Sequence, residues 1–367
     1  MGEDKMSIEH DIKKTALIIK KYLPKWNHST AVCDLEKESF IRAVNQLDFQ
    51  KEENDLWQDF ANLIAEHVPD NHINLKRNGK NLVPKKVPNK RINTQNDIPE
   101  NHEKFDMSEK GSWYIGTRKM NGQNIGIVTI SFLSYSENEK PDARKKFINR
   151  FFELKKEKNW KNIIFDLRGN TGGDAQVIKE ITERMAGYSV KYADRTEVII
   201  PNETDPYRHL FLKKHQESEI PSIITDEKTD RFSGSVYILQ DGYNASASEG
   251  AIFMLKQLPK AKSIGEATSG TYQSGATVLL PVTEDTTLIM GTKYLERYDK
   301  KGNLIQEKKG MAPDIYTPAS NAMARTLTLI KGRKNPFVQT LFLLSQLYSN
   351  LKKPKTRTGI NNQNNQR

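Results

Sequence analysis

From Asn124 onward the chain alternates short apolar runs with amphipathic ones, and that rhythm restricts the fold more than any other feature. "NIGIVTISFL" (124–133) reads as a strand and "ARKKFINRFFELKKE" (143–157) as an amphipathic helix. "KNIIFDLRGN" (161–170) is an apolar strand ending in a turn, and "DAQVIKEITERMAG" (174–187) is the next helix. "SVYILQDG" (235–242), "SASEGAIFMLKQL" (246–258) and "KSIGEA" (262–267) repeat strand, helix and strand. Strands alternating with helices imply an α/β core with parallel strands. Residues 277–306 read instead as hairpins, with "TED" and "KKGN" supplying turn residues.

The flanks have a different texture. Residues 7–70 read as helical, because "ESFIRAVNQL" and "DLWQDFANLIAEHV" space their apolar residues by three and four. Pro69 and the Asp70-Asn71-His72 run end that region. Residues 74–111, rich in Pro, Asn, Lys and Gly, read as a long loop or insertion, and residues 319–351 return to helix. No internal repeat is present.

Composition narrows the function classes. No window reaches the length of a transmembrane helix. The N-terminus lacks the basic start, apolar stretch and cleavage site of a secretory signal. The expectation is a cytoplasmic protein if the chain is complete, and an exported one if a signal has been removed. The single Cys33 forbids an intrachain disulfide and argues against thiolate metal sites; it reads as a buried small hydrophobe. The net charge of +11 could attract nucleic acid or an anionic surface. It is spread out, densest in residues 74–91 and 350–367, and has no interleaved aromatics to stack on bases. It reads as solvated loops and tail.

Functional groups in such a sheet gather where strands end and helices begin. Two junctions stand out. "DLRGNTGG" (166–173) lets the backbone turn sharply and present N–H groups beside a helix N-terminus, which suits an oxyanion or a phosphate. No Lys-Ser/Thr pair follows, so it is not a phosphate loop. "NASASEG" (244–250) puts Ser246 at the mouth of a helix. There Ser246 is either an N-cap, with Glu249 completing a capping box, or an exposed nucleophile backed by an N–H.

Taken in order with "IGEATSG" (264–270), these segments resemble the tail-specific, or C-terminal processing, family of serine peptidases over roughly residues 124–318. The hallmark segments of that family are "DLRGNxGG" and "SASASE". The resemblance implies a twisted mixed-sheet core of the crotonase-like ββα type and makes Ser246 the nucleophile. It also implies an oxyanion hole from the N–H of Ala247 and one from Gly172 or Gly173. Asn244 stands where the first Ser of "SASASE" would be.

One departure changes the mechanism expected. Better-known members use a lysine base in a "GExTFGK" segment; here Thr271 occupies that position. A threonine hydroxyl is no general base near neutral pH. Either the protein is catalytically dead or its base comes from elsewhere. "PDNHINL" (69–75) resembles the "DGHTxL" segment of the branch containing tricorn protease and the retinoid-binding repeats, which makes His72 the candidate base. That branch implies a Glu shortly before a "GxxPD" segment as its orienting acid, and Glu307 takes that place. Asp70 is an alternative the resemblance does not settle. Glu249 reads as closing the helix cap and Arg168 as pairing nearby carboxylates.

The expected organisation is a helical N-terminal subdomain (1–73), a polar connector with a possible hairpin and no PDZ domain (74–123), and a peptidase-type core (124–318). A C-terminal helical segment (319–351) and a disordered basic tail (352–367) follow. The expected function is serine-type hydrolysis of peptide bonds in peptides or unfolded proteins, with no cofactor, no metal, no membrane span and no specific nucleic acid. The alternatives are an inactive member that binds peptides or hydrophobic ligands in the same cleft, and an anionic-surface or nucleic-acid binder.

Overall fold

The computed structural model describes residues 2–23, 26, 31–70, 72–84, 94–108, 111–133, 142–217, 231–299, 301–305 and 309–332. The chain divides into two units, Met1–Met323 and Ala324–Arg367. The helix α8 (Ala322–Gly332) crosses the boundary between them.

Three helices open the chain: α1 (Gly2–Tyr22), α2 (Ala31–Asn45) and α3 (Glu53–His67). On α3 the buried side chains are Leu56, Trp57, Phe60, Ala61 and Ile64, the single apolar face that its three- and four-residue spacing demands. That face does not pack on helices alone. It shares a core with Leu280, Leu288 and Met290 of the hairpin β10 (Ser274–Pro281) and β11 (Thr286–Glu296). The short strands β1 (Asn74–Arg77) and β2 (Lys80–Asn81) continue this sheet in the order β10-β11-β1-β2, and β7 (Arg195–Val198) also pairs with β11. A further helix, α6 (Arg208–Glu217), inserts Phe211 into the same core.

The second sheet has seven strands in the order β12-β9-β8-β6-β5-β4-β3. Its centre is parallel: β5 (Gln123–Ile130), β6 (Asn162–Asp166), β8 (Ser235–Gln240), β9 (Ala261–Gly265) and β12 (Ile315–Tyr316). Every residue of β6 and β8 is buried, as expected for strands covered on both faces. The cover includes α4 (Ala143–Glu157), α5 (Gln176–Ala186) and α7 (Ala247–Leu255), which join β6 and β8 in one hydrophobic cluster. The fold is mixed α/β.

The stretch read as a long loop or insertion, 74–111, holds β1, β2 and a further edge strand. Strands β3 (His102–Ser108) and β4 (Gly111–Met120) lie in the large sheet, antiparallel to each other and to β5. β3 is polar because it is the sheet edge: His102, Lys104 and Asp106 face solvent while Phe105 and Met107 turn inward. The loop before α6 is fastened to α1 by Asp205, which accepts hydrogen bonds from Tyr22 Oη and from Lys21 Nζ (2.7 Å).

Candidate active site

The parallel strands β6 and β8 end side by side, so the two loops that leave them must pack on each other. Asn244 makes that packing specific. It is fully buried, and its Nδ2 reaches the carbonyl of Leu167, that of Asn170 at 3.3 Å and Ser248 Oγ at 2.9 Å. Its Oδ1 accepts the Asp241 N–H at 2.7 Å, and its carbonyl accepts Ser269 N–H at 2.9 Å. One amide therefore holds the glycine loop, the serine turn and the 268–271 segment together. Asp241 adds a second tie, accepting from Gly169 N–H (2.9 Å) and Tyr243 N–H (3.0 Å). Burial pushes the Asp241 carboxyl above its ordinary pKa, and these two backbone donors oppose the shift.

Ser246 follows at φ 54°, ψ −123°, a conformation rarely adopted by a residue with a side chain. The turn is held from both sides. Ser246 N–H donates to the Thr271 carbonyl at 2.6 Å and to Glu249 Oε2 at 3.2 Å, and Ser246 and Glu249 form the capping box at the start of α7. Glu249 does more than close the helix. Buried completely, it also accepts from Gly270 N–H (3.0 Å), Thr271 N–H (2.8 Å) and Thr268 Oγ1. Thr271, where a lysine base was sought, thus holds the serine turn through its main chain.

The glycine loop runs directly beneath. Gly172 and Gly173 adopt φ 109° and 126°, outside the range of other residues. A Cβ on Gly172 would lie 2.8 Å from the Ala245 carbonyl and 3.2 Å from Ala247 N, and one on Gly173 would overlap the Leu133 carbonyl. The two glycines are not equivalent as donors. Gly172 N–H is given to Asn170 Oδ1 at 2.9 Å, whereas no acceptor among the described residues takes the N–H of Gly173 or of Ala247.

Arg168 sits nearby as a structural cation. Its guanidinium meets Asp166 at 2.6 Å and Asp97 at 2.6 Å and donates to the Ala319 carbonyl at 2.8 Å. Burial opposes its charge, but the two carboxylates outweigh burial and raise its pKa.

His72 comes from the other sheet's entry. It lies between α3 and β1, and its Nε2 stands 2.9 Å from Ser246 Oγ. Asp70, 4 % exposed, accepts the His72 N–H at 2.7 Å through Oδ1, and the same oxygen is 3.6 Å from His72 Nδ1. Of the residues singled out in the sequence, His72 meets Ser246 and Gly172 packs against the Ala245–Ala247 turn, with Gly173 next in the chain; Glu307 and the end of the 319–351 segment lie outside the described residues. Asn244, Asn170 and Asp241 carry the loop geometry without having been expected to. Their signal was present, since short polar amides and acids at strand ends commonly bond nearby backbone.

The basic segment at 74–91 is partly committed. Arg77 pairs with Asp285 at 2.8 Å and with Glu53 at 2.5 Å. No helix among the described residues is long and apolar enough to cross a membrane.

A hydroxyl at a strained strand-to-helix turn, an imidazole beside it and a glycine loop come together on a mixed α/β frame. The profile of peptidase family S41 matches residues 124–317, and the chain belongs to that family. The whole fold is similar to a candidate peptidase from Parabacteroides merdae, at 14 % identity and a TM-score of 0.57, with 88 % of this chain and 96 % of that one covered. It is also similar to mature CPAF (11 % identity, TM-score 0.54, 95 % and 99 % covered). Mature CPAF complexed with lactacystin gives 10 % identity and a TM-score of 0.52, with 94 % and 99 % covered. No curated protein matched the chain.

Proposed function

We propose that this protein is a serine peptidase that hydrolyses peptide bonds in peptides or unfolded proteins, with Ser246 as nucleophile and His72 as general base, in the manner of the tricorn-like branch. The observation that carries this reading is the 2.9 Å approach of His72 Nε2 to Ser246 Oγ. It lies within the reach a base needs to take the hydroxyl proton.

Chemistry follows from the geometry. The Ser246 Oγ–H proton moves to His72 Nε2 as Oγ bonds to the carbonyl carbon. The resulting oxyanion accepts from Ala247 N–H and from Gly173 N–H. Gly173 serves rather than Gly172, because Gly172 already donates to Asn170. Each such donor is worth about 3 kcal/mol of barrier. The C–N bond then breaks, and the amine leaves with the proton from His72. Water, deprotonated by the same ring, attacks the acyl-enzyme and releases the acid with Ser246 restored. Glu307 is the orienting acid the family resemblance implies.

The reading is tested by following cleavage of an unfolded protein such as casein. Cleavage by the native chain that Ser246→Ala abolishes supports it. Cleavage unchanged in Ser246→Ala overturns it, and no cleavage or labelling at any pH leaves a peptide-binding scaffold.

A further inference from the structure

We infer that Asp70 is the positioning residue of His72, holding the ring's backbone with one carboxylate oxygen and favouring its Nδ1–H tautomer with the same charge; this rests on the peptidase reading above.

Two independent contacts converge on Asp70 Oδ1. The first is local. The oxygen accepts the N–H of His72, two residues on, at 2.7 Å, while the Asp70 carbonyl accepts Ile73 N–H at 3.4 Å. This is the turn that short acidic side chains make with their own backbone, and it brings the chain from the end of α3 to the start of β1. It sets where the imidazole begins. The second contact is electrostatic. The ring's remaining nitrogen, Nδ1, is 3.6 Å from the same oxygen. A proton on Nδ1 lies against a carboxylate, which leaves Nε2 with its lone pair toward Ser246 Oγ. When Nε2 takes the serine proton, the new imidazolium is formed beside a fixed negative charge in a site where Asp70 is 4 % exposed. From the start of α7 the ring faces Ser246, behind which the buried Glu249 accepts the Ser246 N–H at 3.2 Å.

The two contacts predict different consequences for two substitutions. Asp70→Asn keeps an oxygen that can accept His72 N–H and removes the charge. Asp70→Ala removes both. The test is the His72 ring titration followed by NMR in the native chain, Asp70→Asn and Glu307→Gln, all on a Ser246→Ala background, together with kcat/KM of the corresponding active chains. The expected result is a His72 pKa about one unit lower in Asp70→Asn, with kcat/KM at least tenfold lower and Tm unchanged. Asp70→Ala is expected to lose Tm as well. A His72 titration that Asp70→Asn leaves in place overturns the inference. So does a shift that Glu307→Gln produces and Asp70→Asn does not. The titration is read without turnover, so a native chain with no peptidase activity refutes the parent reading and leaves the Asp70–His72 relationship to be judged on its own.

Discussion

His72 and Ser246 meet through Nε2 and Oγ at 2.9 Å although 174 positions separate them in the chain. The contact joins the turn after α3 to the residue just before α7, and so ties the helical part to the large sheet at the candidate site. Its upkeep is distributed. Arg77 clamps β1, just past His72, to α3 and to Asp285, while Glu249 holds Ser246 and Asn244 holds Ser248 two residues on.

Asn244→Ala should weaken both stability and turnover. The side chain is fully buried and bonds groups in two loops, so its removal leaves the Asn170 carbonyl and the Asp241 N–H without these partners, while the Leu167 carbonyl keeps the Asn170 N–H. Each unsatisfied buried group costs about 1–3 kcal/mol. With two such groups, urea unfolding should report a loss of about 2–4 kcal/mol. Asn244→Ser, the residue that the family's segment carries, should lose less.

Gly173→Ala should be the more damaging of the two loop-glycine substitutions. Both positions have positive φ, but a Cβ at Gly173 overlaps the Leu133 carbonyl, which is backbone and has little room to yield. A loss of about 2–4 kcal/mol is expected by denaturant unfolding. An alanine at Gly173 that folds with native stability contradicts this account of the loop.

Acid should loosen the floor under His72. Burial disfavours the Asp285 carboxylate, yet hydrogen bonds from Arg77, Thr283 and Thr286 outweigh it and pull the pKa down to about 2. A carboxyl depressed in the folded state stabilises fully above its unfolded value of about 3.9, and that contribution is lost as pH falls toward 2. Thermal unfolding followed between pH 5 and pH 2 should therefore flatten in this window in Asp285→Asn relative to the native chain.

Sequence legibility followed periodicity and chemistry. The parallel strands β6 and β8 announce themselves as short apolar runs because both their faces are covered. The serine turn is legible because small residues and Glu249 at capping spacing stand between a strand and a helix. β3 was hidden, since an edge strand with one wet face shows charges where a central strand shows valines. The approach of His72 to Ser246 has no local signature at all; only the resemblance pointed to it. The unequal roles of Gly172 and Gly173 depend on where Asn170 aims its side chain, which no spacing encodes.

The pH dependence of turnover separates a histidine base from a lysine. With His72 the base must be neutral, so kcat/KM should rise as the imidazole loses its proton in the neutral range and level off above it. A rate that climbs only toward pH 9–10 would point to a lysine such as Lys293.

The most direct measurement is labelling by a fluorophosphonate probe, which requires an activated serine but no knowledge of the substrate. The account predicts stoichiometric labelling of the native chain at pH 8, none in Ser246→Ala, and a rate reduced by about 10³-fold or more in His72→Ala. Labelling of His72→Ala at the native rate would contradict it.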